Sequence, residues 1–137
     1  MNRYVLDACA LLALLRNEHG ADKVAAAINA ANNGEAEVVM HKVNLLEVFY
    51  DLYRSHGKDK AELVMSAIKK RPLTIYSEVT DDIFNEAGRL KASYKISLAD
   101  SIALALAIVS DSELLTADHH EFDALADCED IAFQWIR

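Results

Sequence analysis

Four to five short apolar runs punctuate this chain, and segments with helical periodicity fill the intervals between them. Residues 4–6, 37–40, 73–76, 113–116 and 131–136 read as strands. Parallel strands need a crossover of about a dozen residues or more, which is usually a helix. The alternation therefore predicts an α/β fold of three layers, α/β/α. Its central parallel sheet has four to five short strands and is covered on both faces. The length of 137 residues suits one domain over 1–137.

Helices are expected over 8–16, 21–31, 44–53, 58–70, 81–94, 97–109 and 122–126. Asn32, Asn33 and Gly34 close the second. In the third, Leu45, Leu46, Phe49 and Leu52 are expected inward. In the fifth, Ile83, Phe84, Ala87 and Leu90 recur at amphipathic intervals. The segment 97–109 is apolar almost all round, so it belongs at the centre.

Hydrophobic residues make up 53% of the chain, enough for a core and too many for disorder. No apolar run approaches the roughly 18 residues that span a bilayer, and the opening residues enter the first strand with no signal-peptide pattern. A soluble, cytoplasmic protein with no membrane contact is expected. Cys9 and Cys128 have neither a disulfide framework nor zinc-ligand spacing, and are expected to be reduced, in or near the core. The net charge of −8 sits badly with nucleic-acid binding, which usually needs a basic surface. Either the protein does not touch nucleic acid, or part of that charge is gathered to hold divalent cations, which reverse the local field.

The positions of four carboxylates bear on that choice. Asp7 follows the first strand, Glu47 is expected in the first turn of the helix after the second, Asp118 follows the fourth, and Asp100 lies in the first turn of the buried helix. Groups just beyond the carboxyl ends of parallel strands share one edge, where ligands bind. A capping account exists for each. Residues 44–47, 97–100 and 118–121 resemble capping boxes, and Asp7 could be a plain N-cap. Four carboxylates on one edge would repel each other strongly, however, and a hard cation such as Mg²⁺ or Mn²⁺ removes that penalty.

At these residues the chain resembles a known family. Val5-Leu6-Asp7-Ala8-Cys9-Ala10-Leu11-Leu12 looks like the opening of a PIN domain. Residues 43–48 resemble that family's glutamate motif and residues 98–105 its third acidic motif. Residues 114–122 resemble its Thr-x-Asp motif. Order and spacing agree along the whole chain, and the size is similar to the toxin component of VapBC toxin–antitoxin modules. The resemblance implies a Mg²⁺- or Mn²⁺-dependent endoribonuclease that leaves a 5′-phosphate and a 3′-hydroxyl. Asp7, Glu47, Asp100 and Asp118 would be its catalytic and metal-binding residues. It further implies support from Thr116 and Asn44, a cognate antitoxin partner, and a homodimer. Asp123 is a possible extra carboxylate. Cys9 stands where many relatives carry Ser, a stronger hydrogen-bond donor.

Other residues fit other readings less well. His119 and His120 read as exposed helix-start residues before a transition-metal site. His41 and His56 have no partner legible in the sequence. Cys9 lacks a Cys–His arrangement for nucleophilic work. The basic groups at 69–71 and at Arg54, Lys58 and Lys60 read as solvated, or as guides for RNA. Trp135 and Tyr94 read as packing residues. The competing functions are an inactive PIN-like binding or scaffold module and, from another class, a receiver-like phosphotransfer domain. The latter needs paired acids at the first strand, where Asp7 is alone.

Overall fold

Val5 and Leu6 point to opposite faces of a sheet, as successive strand residues must, and each belongs to a different core. In the computed structural model, which describes residues 1–137, five strands form that sheet. They are β1 (Asn2–Leu6), β2 (Ala36–His41), β3 (Thr74–Tyr76), β4 (Glu113–Thr116) and β5 (Phe133–Trp135). Their order is β3-β2-β1-β4-β5 and every neighbouring pair is parallel. Val5 stands opposite Val39 on one side and Leu114 on the other.

Seven helices cover the sheet: α1 (Ala8–Leu15), α2 (Ala21–Asn32), α3 (Lys42–His56), α4 (Lys58–Ile68), α5 (Asp81–Ser93), α6 (Leu98–Val109) and α7 (His119–Ala126). One core joins Leu6, Met40 and Leu115 to Leu11, Ile28, Val48, Leu52 and Ile68 of α1 to α4. The other joins Val5 and Leu114 to Ile83, Leu90, Leu104, Phe122 and Leu125 of α5 to α7. Residues 101–107 of α6 are all buried, which is why that segment shows no polar face. The three-layer α/β/α architecture and its parallel sheet are those the sequence predicts. No helix is long and apolar enough to cross a membrane.

Several expectations need correction. The third helix begins at Lys42, with His41 as its N-cap, so Asn44 lies inside the helix and does not cap it. Glu47 consequently sits beyond the first turn. Leu46, expected inward, is 56% exposed, and Phe84 is 69% exposed. Cys128 is exposed, not near the core. The last helix begins at His119 because Asp118 caps it.

Candidate active site

The chain runs outward from β1 through β2 to β3, then returns to build β4 and β5 on the other side of β1. The strand order thus reverses between β1 and β4, and in open sheets of this kind the ligand crevice lies beyond the carboxyl ends at that reversal. Asp7 stands directly after β1, and Asp118 two residues after β4. Helix α6 leads by a short turn into the start of β4, so its own start, with Asp100, lies at the crevice edge. Helix α3 leaves the same edge from β2 and carries Glu47.

Each carboxylate is held by local bonds. Asp7 is 2% exposed; its Oδ1 accepts from the Ala10 amide at 2.8 Å, and its Oδ2 accepts from the Thr116 hydroxyl. Thr116, fully buried, in turn accepts from the Asp118 amide at 3.0 Å. Asp118 Oδ1 accepts from the Glu121 amide at 3.1 Å. Ser97, the N-cap of α6, accepts from the Asp100 amide at 3.0 Å through its Oγ, and Ser97 favours the ionised form of the Asp100 carboxyl. Asn44 Nδ2 donates to the Ala99 carbonyl at 3.0 Å, tying α3 to α6, and its amide also supports Glu47. The capping account thus holds for Asp7 and Asp118, with Asp100 in the first turn of a helix that Ser97 caps, but it does not explain the raised carboxyls of Asp7 and Asp100.

Burial pushes the Asp7 carboxyl up to about 7 from an ordinary 3.8, against the pull of Thr116 and Ala10, with the charges of Asp100 and Asp118 adding to the rise. Burial and then the charges of Asp118 and Glu121 push Asp100 up to about 6, against the bonds to Ser97. Glu47 is raised by burial and by Asp100 and Asp118, with Asn44 opposing. The charges of neighbouring acids thus disfavour the ionised forms of Asp7, Asp100 and Glu47, with Asp118 a neighbour to each of the three. Glu121 joins them through its charge on Asp100, a role the sequence concealed behind its capping-box position.

Oxygen-only donors, crowded and partly desolvated, suit a hard divalent cation. No three His, Cys, Asp or Glu side chains stand close enough together to close on a single ion. A divalent ion here would take one or two carboxylates directly and complete its shell with water. The cluster lines neither the polar hollow of about 510 Å³ at the opposite sheet edge nor the apolar groove of about 590 Å³ beside Val43, Leu98 and Ile102.

Asp123 turns to His119, whose Nδ1 lies 2.9 Å from its carboxylate, and is largely exposed. His119 stacks on Trp135 at 3.9 Å. The Cys9 thiol is half-buried and raised by burial and by Asp7, which makes it a poor nucleophile.

Thr116→Val is expected to remove both the donor to Asp7 and the acceptor for the Asp118 amide. Leaving a buried donor unpaired costs about 1–3 kcal/mol. Urea unfolding should show a loss of that size, with the metal-free far-ultraviolet circular dichroism spectrum unchanged.

The PIN domain family model matches residues 4–127. No curated protein sequence matches the chain. Among solved structures, the chain is similar to DNA-bound VapBC from Salmonella typhimurium, at 12% identity and a TM-score of 0.75, with 100% of each chain covered. It is similar to VapBC-1 from nontypeable Haemophilus influenzae, at 16% identity and a TM-score of 0.73, with 98% of each chain covered. It is also similar to VapC20 from Mycobacterium tuberculosis, described as a sarcin-ricin loop cleaving toxin. There the identity is 16% and the TM-score 0.61, with 81% of this chain and 86% of that one covered. At these identities the likeness is one of fold.

Proposed function

The chain belongs to the PIN domain family, and from that membership we propose that it is a metal-dependent endoribonuclease, the toxin of a toxin–antitoxin pair. The observation that carries the reading is the crevice at the strand reversal, where Asp7, Glu47 and Asp100 are all raised by burial and by neighbouring acids. Such a set is stabilised by a cation and poorly suited to its absence. Residues 1–137 act as one nuclease domain in this reading.

Asp7, Glu47, Asp100 and Asp118 would hold Mg²⁺ or Mn²⁺ between them, one or two directly and the others through bound water. When bound, that ion supplies positive charge for the phosphate as negative charge develops, and makes water acidic enough to attack near neutral pH. The chain's own part is orientation. The Ala10 amide and the Thr116 hydroxyl fix both oxygens of Asp7. The Glu121 amide fixes one oxygen of Asp118, and Ser97 anchors the backbone amide of Asp100. Carboxylates oriented in this way lose little freedom when they act. No side-chain nucleophile is required. The products implied by the family are a 5′-phosphate and a 3′-hydroxyl. A chain of net charge −8 can accept RNA at such a site because bound cations reverse the local field.

Two of the solved structures with this fold are VapBC complexes, and a third, VapC20, is a toxin that cleaves the sarcin-ricin loop. For this chain the class of substrate is RNA and the partner a small antitoxin. Leu46, Tyr50 and Tyr53 repeat along the outer face of α3, and Leu63 is exposed on α4. An apolar stripe of this kind suits a partner segment. Leu63→Asp is expected to weaken antitoxin binding at least tenfold by calorimetry while RNA cleavage by the free toxin is unchanged. A second copy would cover Phe84, Leu98 and Val79 beside the apolar groove. Light scattering should then give twice the 15.2 kDa chain mass.

The test is incubation of RNA with the purified chain, with Mn²⁺, Mg²⁺ or EDTA. Cleavage with either ion and none in EDTA is expected. Binding of Mn²⁺ without cleavage would favour the inactive scaffold instead.

A further inference from the structure

His41 ends β2 and starts α3, is 1% exposed, and has no part in the chemistry described above. Its two ring nitrogens are both engaged. The Val43 amide donates to Nδ1 at 3.1 Å, and Nε2 lies 2.8 Å from the Glu78 carbonyl. A backbone amide can only donate and a carbonyl can only accept. Nδ1 is therefore bare and Nε2 carries the proton, which makes the ring a neutral imidazole in one tautomer.

The two bonds reach different elements. The Val43 bond caps α3, a place usually given to Ser, Thr, Asp or Asn. The Glu78 bond anchors residues 77–80, which join β3 to α5 and end at Thr80, the N-cap of α5. The first turn of α3 also carries Asn44, fully buried, which grips the Ala99 carbonyl next to Asp100 and supports Glu47. One connected path thus runs from the 77–80 segment through His41 and the α3 start to the two helices that bear Glu47 and Asp100. A serine or aspartate could cap α3, but neither is long enough to reach Glu78 as well.

We propose that His41 is a positioning residue for cation binding: by clamping the α3 start to the 77–80 segment, it holds Glu47, and through Asn44 the start of α6, in place at the crevice. This rests on the reading of Glu47 and Asp100 as cation-holding groups.

The variant that separates clamp from cap is His41→Asn, which can still accept from the Val43 amide but cannot reach Glu78. Outer partners of metal ligands typically change affinity roughly 10–100-fold when lost. Calorimetric titration with Mn²⁺ at pH 7.5 should show the dissociation constant rising about tenfold or more, with circular dichroism unchanged. In the unsubstituted protein, ¹⁵N spectra of the His41 ring should show the Nε2–H tautomer, and the Val43 amide should resist hydrogen exchange. An unchanged Mn²⁺ affinity in His41→Asn, or an Nδ1–H tautomer in the unsubstituted protein, would overturn the inference. Failure of the unsubstituted protein to bind Mn²⁺ would overturn it together with the nuclease reading. Binding of Mn²⁺ that weakens in the variant, in a protein that cleaves no RNA, would support the clamp and reject the nuclease.

Discussion

Asp100→Asn is expected to lower RNA cleavage by about two to three orders of magnitude while making the metal-free protein no less stable. The first effect follows from the several kcal/mol of transition-state charge stabilisation that a well-held cation supplies, at a factor of ten for each 1.36 kcal/mol. The second has the opposite sign because Asp100 is partly buried among other acids and its ionised form is disfavoured. An amide keeps the shape, can still bond to Ser97, and carries no charge. Steady-state cleavage with Mn²⁺ and thermal unfolding in EDTA read the two effects separately. Loss of activity accompanied by loss of metal-free stability would point to a capping residue whose removal damages the fold. Equal activity in the two proteins would end the assignment of Asp100 as a ligand.

Metal-free stability should fall as pH rises from about 4 to about 7. Asp7 titrates near 3.8 in the unfolded chain and near 7 in the folded one. Between those values the folded state keeps a proton that the unfolded state has lost, so raising the pH favours unfolding. Below the window both states are protonated and there is no penalty. Above it the penalty is complete and reaches, as an upper limit, about 4 kcal/mol at 1.36 kcal/mol for each pH unit. Asp100 and Glu47 act in the same direction. Divalent cations bind the deprotonated carboxylates, so Mn²⁺ should raise the melting temperature strongly at pH 7.5 and little at pH 5. Urea melts at pH 5, 6, 7 and 8, with EDTA and with Mn²⁺, check this. Metal-free stability that rises across that range would show that Asp7 is not a destabilising buried charge.

Most of the sheet was legible because each strand is a short apolar run bounded by turn residues, and β4 falls on the residues expected of it. Helix α6 was legible because a segment apolar on every side has only one place to go. The errors gather where one residue serves two elements. Histidine is an uncommon cap, so sequence patterns start α3 two residues late and make a cap of Asn44, which is a buried tie to Ala99. Leu46 and Phe84 fit helical periodicity yet face solvent. Periodicity in one chain reports an apolar face without saying whether the core or another molecule covers it. Asp7, Asp100 and Asp118 could be named because each occupies a strand end or a helix start, and Glu47 because it stands one turn into the helix that follows β2. Their mutual repulsion, and the part played by Glu121, depend on distances across the crevice that spacing along the chain does not contain.

Paramagnetic broadening by Mn²⁺ is the most direct probe of whether one cation site unites these acids. At pH 7.5, substoichiometric Mn²⁺ should broaden the amide signals around Asp7, Glu47, Asp100 and Asp118 together, and EDTA should restore them. Broadening confined to the opposite sheet edge, around Asp111, Glu113 and Asp130, or no broadening at all, would contradict a shared metal site at the strand reversal.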